Sequence, residues 1–197
     1  MAKIKFCGLT RPCDIETVNE LKPDYIGFVF WQKSKRYITR RKAKELKAML
    51  SNNIKAVGVF VDEDILQVVE LLKDGTIDIA QLHGSEDEAY IKELKNLTGK
   101  QIIKAFKIES NADISMANES SADYVLLDAG MGDGKTFDWN IINNIQRPYF
   151  LAGGLDCNNV SEAVSKLAPF AVDVSSGIET EGLKDPTKMR EFMSIAV

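Results

Sequence analysis

Histidine is almost missing from this sequence: His83 stands alone among 197 residues, and the only cysteines are Cys7, Cys13 and Cys157. No second His or Cys completes a ligand set around His83, so no metal centre is expected. The three thiols form neither an even disulfide framework nor a CxxC knuckle, a usage that suits a reducing interior. Long apolar runs are missing too. None approaches the roughly 18 residues of a membrane span, and the opening Met-Ala-Lys-Ile-Lys-Phe lacks the apolar core of a signal peptide. A cytoplasmic protein with no membrane partner is expected. Charge of one sign is scarce as well, with 29 acidic against 25 basic residues and a net charge of -4. The only basic cluster, Lys33, Lys35, Arg36, Arg40, Arg41, Lys42 and Lys44, has no interleaved aromatic ladder, so nucleic acid is not an expected partner. No linker, low-complexity tract or composition shift divides the chain. With 45% hydrophobic and 27% charged residues, residues 1–197 are read as one domain, able to bury roughly 70% of the surface of the unfolded chain.

What is present is a regular alternation. Short apolar, β-branched runs occur at Lys3–Cys7, Tyr25–Phe30, Lys55–Val61, Ile77–Leu82, Gln101–Phe106, Tyr124–Asp128, Tyr149–Ala152 and Ala171–Val174. The charged segments between them carry apolar residues at helical spacing, such as Ile65, Val68, Val69 and Leu72. Asp62 ahead of Ile65, Ser85 three residues before Glu88, and Pro12 and Pro186 read as helix starts. Strand starts recur about every 22 to 30 residues, the length of one βα unit. Alternating β and α elements with continuously apolar strands imply a parallel sheet covered by helices. Eight units close most simply into a single α/β (β/α)₈ TIM barrel. The rival, a doubly wound open sheet, usually carries GxGxxG after its first strand, where this chain has Cys7-Gly8-Leu9-Thr10.

In such a barrel the C-terminal strand ends share one face. Those ends supply Cys7, then Ser34 and Arg36, Asp62, His83, Lys104, Asp128, Gly153-Gly154, and Asp173 with Ser175-Ser176-Gly177. The last two groups place small residues where backbone amides can approach an anion, so Gly153, Gly154, Ser175, Ser176 and Gly177 are candidates for phosphate binding. Gly132-Asp133-Gly134-Lys135-Thr136 is no P-loop, because GxxxxGK[ST] needs glycine where Ala129 stands. It reads either as a glycine-rich active-site lid or as a plain solvent loop.

These motifs resemble the phosphoribosylanthranilate isomerase family over nearly the whole chain. The resemblance lies in Lys5-Phe6-Cys7-Gly8-Leu9-Thr10, Gly27-Phe28-Val29-Phe30 with Ser34-Lys35-Arg36, Val57-Gly58-Val59-Phe60 and Gln81-Leu82-His83-Gly84. It continues in Leu127-Asp128 with Gly134-Lys135-Thr136-Phe137-Asp138-Trp139, Leu151-Ala152-Gly153-Gly154-Leu155, and Val172-Asp173-Val174-Ser175-Ser176-Gly177-Ile178-Glu179. Met131-Gly132-Asp133-Gly134 departs from the Gly-Gly-Thr-Gly common in the family, and Asp156-Cys157-Asn158 stands where proline is frequent.

The resemblance implies an Amadori rearrangement of a phosphoribosyl anthranilate aminoaldose to the corresponding deoxyribulose phosphate in tryptophan biosynthesis. No cofactor is implied, the partner is a small sugar phosphate, and the enzyme is a monomer or homodimer. By the same resemblance Asp128 is the acid that protonates the ring oxygen, and Cys7 the base that removes the proton from the second ribose carbon. At reference values of about 8.5 for Cys and 3.9 for Asp, the thiolate with carboxylic acid form is a minority of roughly 10⁻⁴ to 10⁻⁵. Desolvation of Asp128 and positive charge near Cys7 are therefore expected. Arg36 is the candidate fork for the anthranilate carboxylate. His83 is expected to line the substrate site. Asp173 either contacts the anthranilate amine, orders the site or makes a buried structural hydrogen bond. Lys104 is either a Schiff-base lysine or a partner for a charge next to the core. Rival barrels fit less well: a histidine-pathway isomerase would carry aspartate where Cys7 stands, and an indole-glycerol-phosphate synthase a catalytic lysine at an early strand end. An idle sugar-phosphate sensor would not need both Cys7 and Asp128.

Overall fold

In the computed structural model the described residues are 2–128 and 139–196. Eight parallel strands form a closed barrel in sequence order, with β8 pairing back onto β1. They are β1 (Lys3–Cys7), β2 (Tyr25–Val29), β3 (Lys55–Phe60), β4 (Ile79–Leu82), β5 (Ile102–Lys107), β6 (Tyr124–Asp128), β7 (Tyr149–Ala152) and β8 (Ala171–Val174). Four match their expected limits; β2 and β3 end one residue early, β5 shifts by one residue at both ends, and β4 starts two residues late because Asp78 serves its neighbour. Asp24, Asp78 and Asp123, each just ahead of an even-numbered strand, accept the backbone N–H of Ile4, Ala56 and Ile102 on the strand before. Those amides at the barrel floor would otherwise lack an acceptor.

Side chains alternate between the two faces of each strand. The outward set, including Phe6, Ile26, Phe28 and Phe60, packs beneath the helices in the main core. The inward set fills the barrel with Tyr25, Val57, Ile79, Ile103, Leu126 and Phe150. Its floor is aromatic: Tyr25 and Tyr124 meet Phe150 edge-on, and Tyr124 stacks on Phe170 with centroids 4.9 Å apart. Lys3 caps this floor from below, 4.9 Å from the Phe170 centroid. The bottom is thus sealed by apolar mass, which leaves the strand C-termini as the open end.

The helices are α1 (Pro12–Leu21), α2 (Arg40–Met49), α3 (Ile65–Lys73), α4 (Glu88–Thr98), α5 (Asn111–Glu119), α6 (Val160–Leu167) and α7 (Pro186–Ile195). Pro12 and Pro186 occupy first turns as expected. Two expected starts move. Asp64, not Asp62, caps α3 by accepting from the Leu66 N–H, and Asp87, not Ser85, caps α4 by accepting from Tyr90. Asp62 instead takes a left-handed φ of 51° and accepts from the Ser85 hydroxyl, tying the loops after β3 and β4 together. Between β6 and β7 the described connection is a 3₁₀ segment, Trp139–Asn144, rather than an α-helix. Paired isoleucines and asparagines give this stretch little helical preference. A short antiparallel pair, β9 (Glu179–Thr180) with β10 (Leu183–Lys184), rises over the mouth after β8. No helix among the described residues is long and apolar enough to cross a membrane.

Candidate active site

A cavity of about 360 Å³ opens at the C-terminal ends of the strands. Cys7, Ser34, Arg36, His83, Asp128, Gly153, Gly154, Asp173, Ser175 and Ser176 all line it, so ten of the thirteen strand-end residues named from the sequence share one chamber. Gly177 does not line it. A β carbon there would lie 2.0 Å from the Leu155 carbonyl oxygen, and Gly177 bridges to Asp156, so this glycine joins the loops after β7 and β8. The loop 132–136, read either as a lid or as a plain solvent loop, lies outside the described residues.

Cys7 ends β1 and points inward beside Gly27, its register partner on β2. A β carbon on Gly27 would sit 2.6 Å from Cys7 Sγ, so the missing side chain is the space the sulfur occupies. Two residues earlier on the same face, Lys5 is fully buried and its Nζ meets Asp173 Oδ2 at 2.7 Å. Burial pushes the Cys7 thiol above its usual value, and Asp173 adds to the rise; Lys5 and Lys184 pull it down without cancelling the effect. The expected positive charge near Cys7 is present, but the thiol is raised rather than lowered, because it is buried beside a carboxylate as well. Lys5 itself would be lowered by burial, yet Asp173 and Cys7 outweigh that and raise it.

Asp128 ends β6, with β7 and β8 between it and β1 on one side and four strands on the other. The two candidate catalytic groups therefore face the cavity from well-separated parts of the rim. The Asp128 side chain stays 33% exposed, so the expected desolvation of the acid is only partial. His83 Nε2 stands 3.5 Å from Asp128 Oδ2, and His83 Nδ1 is 3.0 Å from Gln81 Nε2. An amide nitrogen only donates, so Nδ1 accepts and a neutral ring carries its proton on Nε2, toward Asp128. Gln81, to which the sequence assigns no role, lies on β4 two residues before His83 and also lines the cavity.

Arg36 crosses the mouth directly over Gly8, whose φ of 82° and missing side chain let the arginine stem pass: a β carbon there would lie 2.4 Å from Arg36 Cδ. Its Nε and Nη2 donate to the two oxygens of Glu179 at 2.6 and 2.7 Å. Glu179 also accepts from the buried Lys184, whose ammonium continues to the Ser175 carbonyl and hydroxyl at 2.8 and 3.2 Å. The Ser175 hydroxyl donates to the Cys7 carbonyl at 3.1 Å. Burial alone would raise Glu179, but Arg36 and Lys184 hold it below the usual carboxylate range. Burial outweighs the attraction of Glu179 at Lys184 and lowers that ammonium.

On the far rim Gly153 and Gly154 adopt φ values of 95° and 69°, a conformation that glycine holds without strain. Asn159 braces this turn, donating to the Gly154 carbonyl and accepting from the Asp156 N–H. Lys104 does not reach the cavity. It is buried among the helices, 2.9 Å from Glu86 Oε2 and 2.6 Å from the Gly84 carbonyl, which settles the choice in favour of a charge partner. Glu86 in turn accepts from the amides of Asp62 and Gly84. Among the described residues no group of three His, Cys, Asp or Glu side chains is placed to hold a metal ion.

A closed parallel barrel whose mouth combines a thiol and a carboxyl with an arginine fork and paired glycine-serine loops defines a TIM-barrel enzyme of acid–base chemistry on a small anionic substrate. The family model for N-(5'phosphoribosyl)anthranilate (PRA) isomerase matches residues 4–194. Relatives of that name from Endomicrobium trichonymphae and Thermoanaerobacter sp. (strain X514) are both 44% identical; the first match covers 99% of this chain and 98% of the relative, the second 98% and 97%. The solved phosphoribosyl anthranilate isomerase of Thermotoga maritima superposes with a TM-score of 0.89 at 34% identity, covering 100% of this chain and 98% of that one. Another, in complex with reduced 1-(o-carboxyphenylamino)-1-deoxyribulose 5-phosphate, gives 0.87 at 33% identity, covering the same shares. The chain belongs to the N-(5'-phosphoribosyl)anthranilate isomerase family, whose reaction is an aldose–ketose isomerisation in tryptophan biosynthesis.

Proposed function

We propose that this chain carries out that isomerisation with Asp128 as general acid and Cys7 as general base. Asp128 gives a proton to the furanose ring oxygen, and the ring opens to an iminium. Cys7 takes the proton from the second ribose carbon, and the resulting enolamine relaxes to the ketose. One proton is given and one taken, so no redox partner enters. Both groups lining a single cavity from separate arcs of the rim carries this reading.

Further features support the substrate. Gly153, Gly154, Ser175 and Ser176 form the phosphate rim and Arg36 the carboxylate fork, so one cavity offers donors for two anions. Asp173 Oδ1 and Gln81 Oε1 are buried, line the cavity and have no partner among the described residues. Sugar hydroxyls and an arylamine N–H are the donors such acceptors require. We place the reaction in the cytoplasm, where the unpaired thiols of Cys7, Cys13 and Cys157 stay reduced.

The test is turnover of the anthranilate sugar followed by fluorescence. Cys7→Ser and Asp128→Asn should each lower kcat by about 10² or more, the usual contribution of a positioned acid or base. Either variant keeping wild-type kcat removes that residue from its role.

A further inference from the structure

Arg36 spends two of its five N–H groups on Glu179, in a side-on fork at 2.6 and 2.7 Å. A carboxylate so placed would cancel the guanidinium charge and make the fork a poor attractor for a second anion. The structure compensates with Lys184, 4% exposed, whose three donors all have acceptors: Glu179 Oε1 at 2.5 Å and the two oxygens of Ser175. The group Arg36, Glu179 and Lys184 thus carries a net single positive charge. Arg36 Nη1 has no partner among the described residues, and Arg36 lines the cavity. The end-on Nη1/Nη2 edge is therefore the one left for a ligand, and planar bidentate pairing makes its direction matter.

We propose that Glu179, locked and charge-compensated by Lys184, is a positioning residue that aims the end-on edge of Arg36 at the substrate carboxylate and so selects carboxylated aryl amines. The proposal rests on Arg36 being the carboxylate fork, as argued above. Glu179 lies on β9 and Lys184 on β10, so the small hairpin over the mouth has a purpose: it carries the clamp. Arg11 holds the hairpin from the other side, donating to the Lys184 carbonyl at 2.6 Å.

The test compares two aminoaldose phosphates, one carrying anthranilate and one carrying aniline, which lacks the carboxylate. The readout is the ratio of their kcat/KM values. Arg36→Met should lower this ratio by at least about tenfold, the scale of a lost charge-assisted bidentate pair. Glu179→Gln should lower it by a similar factor, chiefly through KM for the anthranilate substrate, and Glu179→Asp should restore part of it. If Arg36→Met lowers the ratio and Glu179→Gln does not, the positioning role is wrong while the fork stands. If Arg36→Met leaves the ratio unchanged, the fork falls and the positioning role with it. Should Glu179→Gln fail to fold, Lys184→Met reads the same clamp from its other end and decides by the same ratio.

Discussion

Lys5 and Asp173 are register partners on neighbouring strands, and their side chains meet at 2.7 Å below the Cys7 thiol. Neither is reached by more than a trace of water, so each charge depends on the other. Removing one partner of a buried pair leaves the second uncompensated, which costs about 3 to 5 kcal/mol. Lys5→Met should therefore destabilise the protein by that order in denaturant unfolding, and Lys5→Met with Asp173→Asn should recover part of the loss. The chemistry should move as well. Lys5 pulls the Cys7 thiol down, so its removal raises the thiol further and should displace the basic limb of the kcat profile to higher pH. An unmoved limb would show that Lys5 is structural only.

Gly27 sets the position of Cys7 Sγ by leaving out a side chain. Gly27→Ala should keep the barrel, with the sulfur turned aside and the Cys7 backbone, 3.1 Å from the new β carbon at Cα, easing slightly, but should misplace the proposed base. A shift of about 1 Å can cost 10²-fold in rate. The expected result is a kcat reduced by at least about tenfold with KM less affected; wild-type kcat would mean that the sulfur tolerates another rotamer.

The barrel was legible in the sequence because strands buried on both faces read as uninterrupted apolar runs, as in Ile26 to Val29, and those runs recur at βα intervals. The rim residues were legible where glycine or a polar group breaks such a run, as at Cys7, Asp128 and Gly153. What escaped was pairing across distant strands. Lys5 looks like one more charge on a strand, and only the β1–β8 closure brings Asp173 to it. Gln81 and Glu179 stand in motifs that carry the family resemblance, yet the linear order gives them no role, because Glu179 meets Arg36 and Lys184 only once β9 and β10 pair over the mouth. Asp62 resembled a cap because an acidic residue ahead of a helix is the usual cap, yet two residues on Asp64 wins, leaving Asp62 to hold the neighbouring loop.

Gly177 joins the loops after β7 and β8, proposed above as the phosphate rim, with the Leu155 carbonyl 2.0 Å from where its β carbon would be. A backbone atom cannot turn aside, so Gly177→Ala must part the loops. Inhibition by inorganic phosphate should weaken and KM rise, while the cavity end at Arg36 keeps its preference for a carboxylated substrate. Unchanged phosphate inhibition would detach Gly177 from the phosphate rim.

Glu179 is held below the ordinary carboxylate range in the folded protein. A depressed folded value stabilises the fold above the unfolded pKa of about 4.3, and that contribution is lost as pH falls through the folded value. Wild-type stability should therefore decline on acidification below about pH 4 more steeply than that of Glu179→Gln, which has no such proton to bind. Parallel curves from thermal melts would show that the ion pairs of Glu179 add nothing to stability.

Gln81 presents the opposite balance. Its amide nitrogen fixes the His83 tautomer, but its buried Oε1 lacks a partner among the described residues. Burying an unmet acceptor costs about 1 to 3 kcal/mol, and replacing it with an apolar group of like shape removes that cost. Gln81→Met should therefore leave the melting temperature unchanged or raised. His83 would then be free to carry its proton on Nδ1, leaving no N–H facing Asp128 across the 3.5 Å gap, and the substrate would lose an acceptor. A kcat lower by about tenfold, with stability kept, is the expected trade of stability against function. A variant that is less stable and fully active would show that Gln81 serves the barrel and not the reaction.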